Sequence, residues 1–223
     1  MTDVGVAGRT VLVTGATGAS GRIVVRALLG AGARVVAVGS DDGRLGALED
    51  ELPGAIGEHA DLTDGDDVLE LAMRVHARVG DIDGIIHLVG GWRGGGGIPG
   101  QSDEDYRFLE RSFTALRHVS RAFWDDLLAS HAGRIAIVSS TTVAAPTAGG
   151  ANYAAVKAAS ESWMRSLAHG FTTAGEGAGA TAAAVTFRVR ALAGLEDRLA
   201  TSVVDLWQAD AATLNGTVTE LTA

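Results

Sequence analysis

The chain has 223 residues, 47% of them hydrophobic, a formal charge of -9 at pH 7 and no cysteine. That length is ample for one α/β domain and short for two, and the apolar fraction supplies a core. The negative balance and the lack of a basic run exclude nucleic acid or an anionic membrane surface as the expected partner, and the absence of cysteine excludes disulfides, thiol catalysis and cysteine-ligated metal.

Taken in order, residues 9–14 (RTVLVT) predict a strand, residues 15–21 (GATGASG) a glycine-rich turn, and RIVVRALLGAG a helix. ARVVAVGS reads as the second strand, DDGRLGALEDEL as the second helix, and a third strand ends near Ala60. A helix over residues 64–79 sets Leu71, Ala72, Val75 and Val79 on one face, and IDGIIHLV is the fourth strand. One long amphipathic helix over residues 103–130 leads to the strand GRIAIVSS and the helix that contains Tyr153. The strand ATAAAVTFRV, a helix over residues 197–211 and a short strand over residues 217–221 follow. Such regular alternation, with solidly apolar strands, predicts a Rossmann-type doubly wound parallel sheet in a three-layer α/β/α arrangement, as a single domain over residues 1–223. The low-complexity run GGWRGGGG (residues 90–97) is expected as a mobile loop beyond the fourth strand. No signal-like N-terminus is seen, and no apolar stretch approaches about 18 residues without a charge or glycine, so a cytoplasmic protein with no membrane contact is expected.

Lys157 is the single lysine beside 17 arginines, and it stands four residues after Tyr153, one of two tyrosines. Four residues is one helical turn, which places phenol and ammonium on one face. An ammonium beside a phenol favours phenolate and is expected to lower its pKa, as a general acid/base near neutral pH requires. The alternative is an ordinary exposed helical pair, but in a chain that uses arginine for generic positive charge the functional reading leads.

The turn Thr14-Gly15-Ala16-Thr17-Gly18-Ala19-Ser20-Gly21 follows a strand and opens a helix. Its glycines permit close backbone approach, and the helix N-terminus presents free N–H groups to a pyrophosphate. The alternative is a plain tight connection.

Together these pieces resemble the short-chain dehydrogenase/reductase family over nearly the whole chain. Gly15, Gly18 and Gly21 match its T-G-x-x-G-x-x-G variant; Asp61-Leu62 looks like its adenine-contacting pair; Ser140 lies thirteen residues before Tyr153, at the spacing of its catalytic serine; and Tyr153 to Lys157 is its Y-x-x-x-K. The resemblance implies an NAD(P)(H)-dependent oxidoreductase for a small-molecule carbonyl, alcohol or conjugated C=N or C=C bond. Tyr153 would exchange the proton, Ser140 would orient the substrate oxygen, and Lys157 would hold the nicotinamide ribose. It further implies cofactor contacts at Gly15, Thr17, Gly18, Ala19, Ser20, Gly21, Gly39, Ser40, Asp61, Leu62, Val89, Gly90, Gly91, Tyr153 and Lys157.

Departures from the family pattern shape the expectations. The chain reads His87-Leu88-Val89-Gly90 where the family usually has N-N-A-G, and Ser112 aligns with the asparagine of the catalytic tetrad. Phe187-Arg188-Val189-Arg190 replaces the usual proline-glycine after the sixth strand, so the substrate lid is expected to be short or absent, leaving an open pocket walled by residues 91–98 and 141–151. VGGWRGGGG is similar to a segment of dihydropteridine reductases. At the end of the second strand, Gly39-Ser40 lacks the acid that selects NAD; NADP is favoured over NAD, with Ser40, Arg22 or Arg44 as phosphate contacts and Asp41 and Asp42 opposing.

The histidines (His59, His76, His87, His118, His131, His169) show no metal-ligand spacing, and no metal is expected. The resemblance places His87 near the nicotinamide, and Trp92 either lines the pocket or anchors the loop. Phe113, Leu116, Phe123, Trp124 and Trp163 are many large apolar groups for two surface helices, and the family's pairing there implies a homodimer or homotetramer. A non-redox enzyme on the same fold and a nucleotide-sensing regulator are the alternative functions.

Overall fold

The central strands are buried on both faces, and this is why they read as solid apolar runs rather than alternating ones. The computed structural model describes residues 5–175 and 181–222. Its elements are β1 (Thr10–Thr14), α1 (Ala19–Gly30), β2 (Arg34–Gly39), α2 (Asp42–Glu51), β3 (Ala55–His59), α3 (Gly65–Val79), β4 (Gly84–His87), α4 (Asp103–Ala122), α5 (Trp124–Ala129), β5 (Arg134–Ser140), α6 (Ala151–Ala174), β6 (Ala183–Val189), α7 (Glu196–Val204), α8 (Ala211–Leu214) and β7 (Val218–Glu220). All strands pair in parallel in the order β3-β2-β1-β4-β5-β6-β7.

Alternate residues of the central strands feed two separate cores. Val11, Val13, Val35 and Ala37 pack with Val24, Leu28, Leu199 and Val203 from α1 and α7. Leu12, Val36, Ile85 and Ile135 pack on the other face with Leu71, Leu116 and Phe171 from α3, α4 and α6. The result is the expected doubly wound, three-layer sandwich, with a crevice at the carboxyl ends of the strands where the order reverses between β1 and β4.

Two expected helices are divided. The helix over residues 103–130 breaks at Phe123 (φ -111°, ψ 20°), whose side chain is fully buried and lies edge-on to His76. Asp126 on the following α5 accepts from the Ile82 N–H at 3.0 Å and meets the His76 ring at 2.9 Å, which ties α5 to the start of β4 rather than to the axis of α4. The helix over residues 197–211 becomes α7, a 3-10 turn (Asp205–Trp207) and α8, because Trp207 turns inward and donates its indole N–H to Ala132 O at 2.9 Å.

Some residues expected at a subunit interface are used inside the chain. Leu116 and Phe123 are buried, and Trp124 stacks on Phe171 at 4.6 Å. Phe113 and Trp163 remain half-buried at the surface, in edge-to-face contact with Arg117 above both rings. Among the described residues no helix is long and apolar enough to cross a membrane.

Candidate active site

The turn after β1 is shaped by steric necessity. Gly15 has φ +70°, and a Cβ there would lie 2.9 Å from the Leu88 carbonyl carbon; on Gly21 it would lie 2.3 Å from Gly15 O. Gly18 is less constrained, with 3.4 Å to the nearest atom, but it is the N-cap of α1 and provides no side-chain acceptor. The first-turn N–H groups of α1 are therefore left to a ligand, and Gly18, Ala19 and Ser20 line a cavity of about 520 Å³. A backbone cradle that any Cβ would fill, beside an uncapped helix N-terminus, fits the pyrophosphate of a dinucleotide.

The same cavity reaches Ser140 at the end of β5 and Tyr153 and Lys157 on α6. Ser140 is 2% exposed, and its Oγ accepts from both the Thr142 N–H (3.2 Å) and the Thr142 hydroxyl (3.0 Å). With both lone pairs occupied, the Ser140 proton is directed outward as a donor. Burial pushes the Tyr153 phenol above its ordinary pKa, and a hydrogen bond with Ser140 only partly opposes this. The expected lowering by Lys157 does not occur, because the ammonium sits 5.8 Å from the ring centroid and donates to Val138 O at 2.8 Å. Burial brings Lys157 down to about 8, against the pull of Glu161 one turn further along α6.

Glu161 is 2% exposed and clamped by Arg188 through two bonds (2.8 and 2.6 Å) and by the Ser139 hydroxyl (2.7 Å). Burial raises its pKa, but the Arg188 and Ser139 bonds outweigh this and hold it below the usual carboxylate range. Three consecutive residues of β5 thus meet α6: Val138 holds Lys157, Ser139 holds Glu161, and Ser140 meets Tyr153.

His87 lines the cavity as a buried neutral ring. Its Nε2 lies 3.1 Å from Ser112 O, and since a carbonyl only accepts, Nε2 carries the proton and Nδ1 accepts from the Thr14 hydroxyl at 2.8 Å. Burial depresses its pKa to about 4, with the Ser112 bond opposing and nearby Lys157 adding to the shift. Ser112 turns its own hydroxyl back to Leu109 O at 2.8 Å; it faces a narrow recess behind Lys157 rather than the main cavity.

Of the predicted cofactor contacts, Gly15, Gly18, Ala19, Ser20, Gly21, Val89, Gly90, Gly91, Tyr153 and Lys157 share the cavity. Thr17, Gly39, Ser40, Asp61 and Leu62 are not in its lining. Gly39 nevertheless abuts Thr17, whose methyl would lie 3.1 Å from a Cβ on Gly39. The Asp61 carboxylate accepts from the Thr63 hydroxyl and N–H, which hold it below its ordinary pKa, and Leu62 is buried. Neither arginine expected at a 2′-phosphate is free: Arg22 pairs with Glu51, and Arg44 faces Asp41 at 3.8 Å.

The glycine-rich segment is pinned rather than loose. The Gly95 N–H donates to Gly149 O at 2.7 Å, and the Gln101 amide donates to the carbonyls of Gly95, Gly97 and Gly149 while accepting from the Asn152 N–H at 3.0 Å. Trp92 lines the cavity and is 67% exposed. The connection after β6, expected to leave the pocket unlidded, supplies a wall from residues 190–193. Sequence reasoning missed Thr142 and Glu161; for Arg190 the signal was present as a departure from the family pattern.

Residues 9–185 match the family described as short chain dehydrogenase. The 3-oxoacyl-[acyl-carrier-protein] reductase FabG of Salmonella typhimurium is 28% identical over 163 residues, covering 72% of this chain and 66% of the reductase. The 1-deoxy-11-beta-hydroxypentalenate dehydrogenase of Streptomyces avermitilis is 38% identical over 172 residues, 71% of this chain and 61% of that enzyme. The chain thus matches just under two thirds of the length of these relatives. The solved structure of a short chain dehydrogenase from Pseudomonas syringae superposes with a TM-score of 0.84 at 24% identity, covering 99% of each chain, a likeness of fold.

Proposed function

The chain belongs to the short-chain dehydrogenase family, and from that premise we propose that it is an NAD(P)(H)-dependent oxidoreductase interconverting a carbonyl and an alcohol, or reducing a conjugated C=N or C=C bond. The observation that carries this reading is the single cavity joining the Gly15 to Gly21 cradle with Ser140, Tyr153 and Lys157. The relatives named above as a 3-oxoacyl reductase and a hydroxypentalenate dehydrogenase support a carbonyl/alcohol substrate. The site is built into one domain over residues 1–223, and half-buried Phe113 and Trp163 support a homodimer or homotetramer through α4 and α6.

A bound nicotinamide supplies the hydride, and the chain's own groups handle the oxygen. The Ser140 proton and the Tyr153 hydroxyl converge on the substrate oxygen, Tyr153 giving up its proton as negative charge develops there. Its raised pKa keeps it protonated at neutral pH, the state that reduction needs. Lys157 is largely charged there and, with its ammonium anchored on the Val138 carbonyl, is placed to hold ribose hydroxyls with its remaining N–H donors. The Gly39-Ser40 end of β2 lacks the strand-end acid that binds the ribose 2′-hydroxyl, which favours NADP over NAD slightly, against the opposing charges of Asp41 and Asp42. The test is oxidation of NADPH and NADH with an aromatic aldehyde such as 4-nitrobenzaldehyde. Tyr153→Phe should lower kcat/KM roughly 10²-fold or more, as loss of a general acid does, with its urea unfolding midpoint retained. Near-wild-type turnover in that variant would sink the mechanism.

A further inference from the structure

Among the described residues Lys157 and Arg190 are the charged ones lining the cavity, and no carboxylate lines it, in a chain whose formal charge is -9. Lys157 is committed to the Val138 carbonyl. Arg190 is exposed, and among the described residues no hydrogen bond or ion pair holds its guanidinium. The sheet register places it next to the reacting end of the site: Val189 pairs with Ser140, and Arg190 is the next residue. The phosphate cradle lies elsewhere. It follows β1, three strands away from β6, about 14 Å at the usual strand spacing.

We propose that Arg190 is a specificity-determining residue that binds a carboxylate on the substrate, so that the chain acts on carbonyl or alcohol compounds that are anions. This deepens the oxidoreductase reading and rests on it. A guanidinium presents paired N–H donors in a plane that matches a carboxylate, and a single free guanidinium balances a single negative charge. The exposed Trp92 indole lines the same cavity and offers a flat apolar surface for the body of such a substrate. The position is informative because the chain reads Phe187-Arg188-Val189-Arg190 where the resembling family has an uncharged proline-glycine.

The test compares 4-acetylbenzoate with its methyl ester, which differ in charge at nearly constant shape. Calorimetric binding of each to the full chain saturated with NADP⁺ is measured alongside NADPH oxidation with each ketone, in wild type and in Arg190→Gln. The acid should be preferred about tenfold or more in wild type, in binding and in kcat/KM, and the ratio should fall to near one in Arg190→Gln. A wild-type ratio near one, no detectable binding of the acid, or a preference that survives in Arg190→Gln overturns the proposal. So does a variant that binds NADP(H) more weakly while keeping the acid-to-ester ratio, since that assigns Arg190 to the cofactor. Preferential binding of the acid with no NADPH oxidation by either ketone would instead remove the redox reading and leave the anion subsite standing.

Discussion

His87 should make the fold acid-sensitive between pH 6.5 and about 4. It is 4% exposed and held neutral between the Thr14 hydroxyl and the Ser112 carbonyl, and burial takes its pKa from 6.5 to about 4. Between those values the unfolded chain binds a proton that the folded chain refuses, so stability rises with pH there and is lost as pH falls from 6.5 towards 4. At pH 5 the unfolded state is favoured by a factor of about 30, the ratio of 1 + 10^1.5 to 1 + 10^-1, which is about 2 kcal/mol. At pH 7.5 the same ratio is close to one and the energy close to zero. Carboxylates held below their ordinary range, such as Glu161 and Asp61, lose their contribution at lower pH and add little in this interval.

Replacing His87 with Gln removes the titrating group and retains an amide N–H for Ser112. The variant's absolute stability is not the readout, because a substitution in so buried a place carries its own packing cost. The readout is the difference between pH 7.5 and pH 5.0 in the free energy of urea unfolding, followed by the fluorescence of the four tryptophans at one protein concentration. Wild type should lose about 2 kcal/mol more than His87→Gln across that interval. Equal losses would show that His87 is protonated in the folded state, and the assignment of Nε2 as donor to Ser112 and Nδ1 as acceptor from Thr14 would have to be given up.

Because the chain has one lysine, competitive acetylation with acetic anhydride reports on Lys157 alone among side-chain amines. Its reactivity should rise with a midpoint near pH 8 and not above 10, and a model-lysine profile would refute burial as the dominant influence on it. Gln101→Ala removes the side chain that joins the Gly95, Gly97 and Gly149 carbonyls. Amide exchange at Gly95 should then speed up roughly tenfold or more, about what losing 1.4 kcal/mol of local protection gives, and unchanged exchange would mean that the Gly95–Gly149 backbone bond holds the segment unaided.

What was legible in the sequence follows from the range of the physics involved. Gly15 and Gly21 are dictated by contacts within one turn and with the adjacent strand end, so their spacing announces them. Tyr153 and Lys157 are one helical turn apart, and that local fact needs no fold. Their charge states do need one. The four-residue spacing suggested an ammonium beside a phenol oxygen, but β5 brings the Val138 carbonyl to Lys157 and closes over Tyr153, and desolvation reverses the expected direction of the Tyr153 shift. The same holds for His87: its neutrality comes from burial, and its tautomer is set by Thr14, 73 residues away and paired with it in register, and by Ser112, 25 residues on. Glu161 illustrates the point most sharply, since its sequence neighbours give no hint of burial, and only the approach of β5 and β6 supplies Ser139 and Arg188 to neutralise it. Local spacing therefore picks out the candidate groups, while the strands packed against them decide the protonation state in which the fold holds them. This is also why Arg190 is informative: it follows Val189, which the register pairs with Ser140, and among the described residues no carboxylate lines the cavity with it.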